Sequence, residues 1–133
     1  MSISRLYRCI EEKNVNNSPA RENIYTLLME EGECMSVSEI INKLSGDYSK
    51  KISLNTVYRH LTFFTECGLV MVIQDAHKKS YYCLSENSAK AFAICPKCNY
   101  LTQVKGVVHI DTLLGKLECS EFVTIHKKCE KCK

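Results

Sequence analysis

Two Cys-x-x-Cys pairs, Cys95-Pro-Lys-Cys98 and Cys129-Glu-Lys-Cys132, carry the clearest chemistry in this chain. In each pair the two-residue spacer lets both thiolates turn toward one point, and two such knuckles supply the four sulfur ligands of a tetrahedral zinc. A site closed by four thiolates keeps no position for a substrate. One structural zinc per chain, clamping the fold, is therefore expected on Cys95, Cys98, Cys129 and Cys132. The segment between the knuckles is long and has strand and helix signals of its own, so joining its ends defines a small domain and pins the C-terminus. Two disulfides, or four unrelated thiols, are the other readings of the same spacing.

The compartment decides between them. The chain has 133 residues and nine cysteines, an odd number. Cys9, Cys34, Cys67, Cys83 and Cys119 lie outside the knuckles at irregular spacing. A secreted disulfide scaffold favours an even number and a leader, and the opening MSISRLYRCIEEKN is charged throughout, without the apolar run of a signal peptide or membrane span. A cytoplasmic location, with no membrane partner, is expected. Net charge is only +3. Residues 1–86 hold ten Lys+Arg against eleven Asp+Glu, and the remainder eight against four. Bulk charge thus locates no nucleic-acid surface, and local clusters must do so.

The elements that position such clusters are signposted. Ser18-Pro19 is a helix start, followed by Ile24, Leu27 and Leu28 on one face and Gly32 as a stop. Ser36-Val37-Ser38-Glu39 is a capping box opening a helix with Val37, Ile40, Ile41 and Leu44 on one face, stopped at Gly46. Ser53 caps a third helix with Leu54, Val57, Leu61 and Phe64 inward, ending near Gly68. Two strands, Leu69–Ile73 and Ser80–Leu84, flank the polar tip 74–79. Three helices and a hairpin make a winged helix-turn-helix pattern.

With its stripe inward, the third helix presents Asn55, Thr56 and Arg59 outward, with Tyr58 at the edge, a composition suited to the major groove. Lys50 and Lys51 precede it, and Lys78 and Lys79 occupy the wing tip, where both pairs can meet phosphates. Either lysine pair alone reads as a solvated face; together, around this helix, they favour DNA. Of the histidines, His60 is expected at the surface or facing DNA, His77 at the wing tip, His109 at the start of the last helix and His126 beside the zinc.

Ser53–Leu61, continuing through Glu66-Cys67-Gly68-Leu69-Val70, resembles the recognition helix and strand entry of the ferric uptake regulator family. Arg21-x-x-Ile24 and the two knuckles extend the resemblance over nearly the whole chain. It implies a bacterial DNA-binding repressor that dimerises through its C-terminal domain. It further implies Tyr58 at a base and sugar edge, Arg59 at a phosphate, and Arg21 at the backbone or minor groove. A two-fold dimer matches a palindromic operator.

The second half supports the same order. Strands are expected over 91–94, 100–104 and 122–126, with a helix stripe at Val107, Ile110, Leu113, Leu114 and Leu117. Three strands leave an edge that a partner copy can cover. The fold class is α+β: a winged-helix domain over 1–84, a linker over 85–90, and a zinc-stabilised dimerisation domain over 91–133.

One departure matters for regulation. Relatives carry a histidine-rich run before the first knuckle, and Ala89–Ile94 has none. Cys34 and Cys83 instead stand where the resemblance implies histidine and an acidic ligand. Sulfur there fits a second, thiophilic metal, a disulfide switch, or simple burial of two small apolar side chains. No nucleophile triad, His-Glu-x-x-His or Gly-rich phosphate loop is present in the sequence, so no enzyme is expected. Two alternatives to a DNA-binding regulator remain, a zinc-stabilised protein-interaction module and a thiol redox enzyme that uses one knuckle as a dithiol.

Overall fold

A computed structural model of the chain describes residues 3–32, 34–47, 52–86, 91–104, 115–117 and 121–132. Four helices come first: α1 (Ser4–Lys13), α2 (Pro19–Glu31), α3 (Val37–Asp47) and α4 (Leu54–Glu66). The hairpin strands β1 (Val70–Gln74) and β2 (Ser80–Leu84) follow, then β3 (Ala91–Ile94), β4 (Leu101–Gln103), β5 (Val123–His126) and a 3-10 turn at Glu130–Cys132.

The caps form as the sequence reads them. Ser18 Oγ accepts from Arg21 N with Pro19 at the first helical position, and Gly32 closes α2 at φ 65°. Ser36 and Glu39 exchange the two bonds of a capping box, Glu39 N to Ser36 Oγ at 3.3 Å and Ser36 N to Glu39 Oε1 at 3.4 Å. Ser53 caps α4, and Gly68, at φ 73°, turns the chain into β1.

Four expectations need correction. The winged-helix unit has four helices rather than three, because α1 buries Leu6 and Ile10 against the core of the other three. α3 runs through Gly46 to Asp47 instead of stopping there; one glycine inside a packed helix costs only about 1 kcal/mol. Leu54 is 53 % exposed instead of packed, at the first residue of α4. The strand expected over 100–104 is confined to Leu101–Gln103, with Tyr100 61 % exposed.

The main core joins Ile24, Leu28, Ile40, Leu44, Val57, Leu61 and Phe64. Tyr25 and Phe64 meet edge to face at 5.4 Å, and burial, with Glu86 adding, pushes the Tyr25 hydroxyl up to about 12. β1 and β2 pair antiparallel, Val70 with Leu84 and Met71 with Cys83. Alternation then sends successive side chains to opposite faces. Val70, Tyr82 and Leu84 join the helical core, while Met71, Ile73 and Cys83 cluster with Phe92 of β3, flanked by Cys34, Leu101 and Phe122. The unbroken apolar run of β1 therefore reflects burial on both faces.

The second sheet has the order β4-β3-β5, with β3–β4 antiparallel and β3–β5 parallel. The expected helix stripe at Val107, Ile110, Leu113 and Leu114 lies outside the described residues, and Leu117 is half-buried just after a turn. Of the expected linker, Ser85 is packed against the hairpin, its N–H donating to Leu69 O at 2.9 Å, and Glu86 pairs with Arg5 of α1 at 3.2 Å.

Candidate metal centre and nucleic-acid interface

The knuckles are brought together by the parallel β3–β5 pair. Ile94 stands opposite His126, and Lys127 N donates to Ile94 O at 3.0 Å. Each strand therefore delivers its own knuckle to the same end of the sheet. The first knuckle is closed by Asn99 N to Cys95 O at 2.8 Å and Cys95 N to Tyr100 O at 3.0 Å, with Asn99 at φ 65°. The second is closed by Cys132 N to Cys129 O at 3.0 Å.

The sulfurs of Cys95, Cys98, Cys129 and Cys132 all lie within 4.8 Å of one another, and Cys98 Sγ and Cys129 Sγ are 3.6 Å apart. A tetrahedral zinc with bonds of about 2.3 Å holds its sulfurs about 3.8 Å apart, so this group can hold the ion. The thiols already share protons unequally. N–H donors of Cys129 and Cys98 draw Cys95 down to about 6, whereas hydrogen bonding to Cys129, together with burial, pushes Cys132 up to about 12. Such splitting belongs to the cluster as a unit. His126 is exposed and is not one of the four ligands.

At the other end, α4 turns Val57, Leu61 and Phe64 inward. Asn55, Tyr58 and Arg59 are exposed, as expected, along with Ser53 and Leu54. Thr56 is half-buried, its hydroxyl 2.8 Å from Ser53 Oγ, which makes it part of the cap as well as of the surface. Lys78 and Lys79 are exposed at the wing tip. That tip is organised by the buried Asp75, whose Oδ1 accepts from His77 N at 2.8 Å and Lys79 N at 3.0 Å. Lys79 Nζ lies 5.6 Å above the Tyr81 ring. Lys50 and Lys51 lie outside the described residues.

His60 departs from expectation. It is buried, 6 % exposed, rather than facing outward. Its Nδ1 accepts from Arg21 Nε at 3.3 Å. Arg21 also donates to Asn16 O at 3.1 Å and stacks over Phe63 at 4.2 Å. Burial, then Arg21 and Arg59, hold His60 below its ordinary pKa, in keeping with a neutral acceptor. Arg21 thus links α2 to α4. Its contact with α4 could have been suspected from His60, which adjoins Leu61 and lies three residues after Val57, at the border of the buried stripe.

Cys34 and Cys83 flank an isolated bridge in which Met35 and Tyr82 exchange both backbone bonds, at 3.0 and 2.7 Å. The adjoining register position in an antiparallel pair sets Cys34 opposite Cys83. Both belong to the cluster that includes Phe92. Cys34 also lines a cleft of about 1310 Å³ that extends to Cys95, Cys98 and Cys129.

The comparisons with known proteins agree with this geometry. The model of the ferric uptake regulator family matches residues 12–132. A ferric uptake regulation protein from Synechocystis sp. (strain ATCC 27184 / PCC 6803 / Kazusa) is 30 % identical over 112 residues, 81 % of this chain and 67 % of that one. The Helicobacter pylori ferric uptake regulator, whose structure is described as revealing three functional metal binding sites, superposes with a TM-score of 0.80 at 21 % identity, covering 98 % of this chain and 90 % of its own. The Pseudomonas aeruginosa ferric uptake regulator with manganese superposes with a TM-score of 0.73 at 17 % identity, covering 91 % and 95 %.

Proposed function

The chain belongs to the ferric uptake regulator family, and on that footing we propose that it is a homodimeric, zinc-clamped, sequence-specific DNA-binding repressor. The observation that carries this reading is the outward face of α4, where Asn55, Tyr58 and Arg59 stand exposed above a fully buried stripe. Tyr58 and Asn55 read base edges, Thr56 approaches from the cap, and Arg59 meets a phosphate. Lys78 and Lys79 of the wing, with Lys50 and Lys51 before α4, neutralise flanking phosphates. Arg21 contributes to the backbone contact while holding α4 from behind through His60. Residues 1–84 form the DNA-binding domain, 85–90 the joint, and 91–133 the dimerisation domain, clamped by one zinc on Cys95, Cys98, Cys129 and Cys132. That ion would supply a fixed tetrahedral centre and no open position.

We further propose that Cys34 and Cys83 serve as a regulatory thiol pair at the joint, taking a thiophilic metal. Metal content per chain after purification without added metal tests it: two zinc ions support the sensor site, and one reduces the pair to packing. Operator selection from random duplexes, followed by binding at several salt concentrations, tests the main reading. Selection of a palindrome, with a steep salt slope, supports it. Equal affinity for all sequences, with no slope, favours the protein-interaction module instead. A redox enzyme would need one knuckle free as a dithiol, whereas all four sulfurs converge here.

A further inference from the structure

We propose that Leu54 reads the 5-methyl group of a thymine, so that the first turn of α4 selects T over C by apolar contact. This inference rests on the DNA-binding reading of α4 and adds a specificity-determining residue to it. Leu54 is the first residue of α4 and is 53 % exposed. A leucine half in water forgoes much of the free energy that full burial would release. The core at this end of α4 is filled without it. Where a helix is entered through an N-cap, the apolar residue before the cap and the fourth helical residue do the packing. With Ser53 as the cap, those positions are Ile52 and Val57, and both join the main core. Leu54 lies between them in sequence and is not part of that core.

The surroundings say what covers it. Ser53 Oγ accepts from Thr56 N at 3.2 Å and lies 2.8 Å from Thr56 Oγ1, so both hydroxyls serve the cap and hold the first turn in place. Tyr58, four residues on and 45 % exposed, shares a side of the helix with Leu54. Asn55 stands exposed beside them. This end of α4 therefore offers one amide and an apolar pair. The N-terminal residues of a recognition helix are the ones that meet base edges. In the major groove the thymine methyl is the apolar group among donors and acceptors. Cytosine has no methyl and shows an N4 donor that a leucine cannot satisfy, so the same side chain that favours T disfavours C. A protein partner would need a wider apolar patch, and the exposed neighbours Ser53, Asn55 and Arg59 are polar.

The test uses the full-length, zinc-loaded protein and the duplex it selects from a random pool. Each thymine of that duplex is replaced in turn by deoxyuridine, which removes the methyl and leaves every hydrogen-bonding group in place. For the unsubstituted protein, one thymine per half-site should lose about fourfold in affinity, the worth of one buried methyl. L54A should bind the thymine duplex at least about fourfold more weakly, and should lose nothing further when that thymine becomes deoxyuridine. L54M should restore the sensitivity, and Y58A should keep it. L54A should also retain the zinc content and unfolding midpoint of its parent, which separates a lost contact from a lost fold. If no thymine is sensitive, or if L54A keeps every penalty, the inference is overturned while the DNA-binding reading stands. Selection of no preferred sequence overturns that reading and this inference with it. An altered oligomeric mass in L54A with an unchanged scan assigns Leu54 to a contact between copies and overturns it too. If L54A folds poorly, L54S at the same position supplies the comparison.

Discussion

The two halves of the chain are held together by different physics. The helical half buries Leu6, Ile24, Ile40, Val57, Leu61 and Phe64 completely, and these residues come from all four helices, so each element stabilises the next. The second sheet buries Ala91, Phe92 and Ile94 on β3, with Cys95 just after it, while β4 and β5 are no more than half-buried. A unit this small cannot exclude enough apolar surface to offset its chain entropy, and a metal is the usual remedy. The difference teaches where each half is vulnerable, the first to cavities and the second to loss of ligands. The halves are still coupled, because the hairpin gives one face to each.

The largest effect should come from breaking the metal side of this comparison. C95S or C132S should abolish zinc binding and dimerisation, since metal-binding energy on the order of 10 kcal/mol is also folding energy. Hydrogen exchange should show β3, β4 and β5 unprotected while α2 and α4 stay slow. Uniform loss of protection in both halves would mean that they form one cooperative unit, and an unchanged dimer would refute the clamp.

The converse substitution is F64A. Phe64 is fully buried against Tyr25, so a stability loss of about 3–5 kcal/mol is expected in chemical denaturation. Zinc content should be retained, because among the described residues this core includes none from the knuckles. Loss of the metal together with the helices would erase the distinction drawn here.

Smaller effects sharpen the interface. Y58A should relax sequence preference by about 1–3 kcal/mol per contacted base, whereas R59A should weaken all duplexes evenly and lower the salt slope. Neither should shift the unfolding midpoint by more than about 0.5 kcal/mol, since both side chains are exposed. Unchanged operator binding by the double variant, at fixed salt, would remove α4 as the reader.

The smallest effect concerns His60. Its pKa is lowered in the fold, so the folded state resists a proton that the unfolded state accepts. Stability should be full above the unfolded value near 6.5, fall as pH drops through it, and level off below the depressed folded value. H60Q should flatten this slope and cost about 1 kcal/mol at neutral pH through the altered bond to Arg21. An equal slope in H60Q would assign the pH dependence to other groups.

Much of the architecture was legible because its signals are local. Ser18, Ser36 and Ser53 cap helices with side chains that reach only three residues ahead, and such contacts form wherever the chain turns helical. The knuckles were legible for the same reason. α1 was missed because its N-cap, Ile3, makes no side-chain bond and only Leu6 and Ile10 mark its buried face. Asn14 at φ 52°, a left-handed cap, was the one available sign. Leu54 was misplaced because a helical stripe says which face is apolar and not how far a neighbouring element reaches along it.

By itself, then, the sequence determined the caps, the hairpin, the thiol ligand set and the outward chemistry of α4, because each depends on residues close in the chain. Only the tertiary structure decided which distant groups meet. Arg21 reaches His60 across two helices, and Cys34 comes opposite Cys83 through the Met35–Tyr82 bridge. These pairings depend on how buried faces pack against one another, and packing is a property of the whole core rather than of any segment within it.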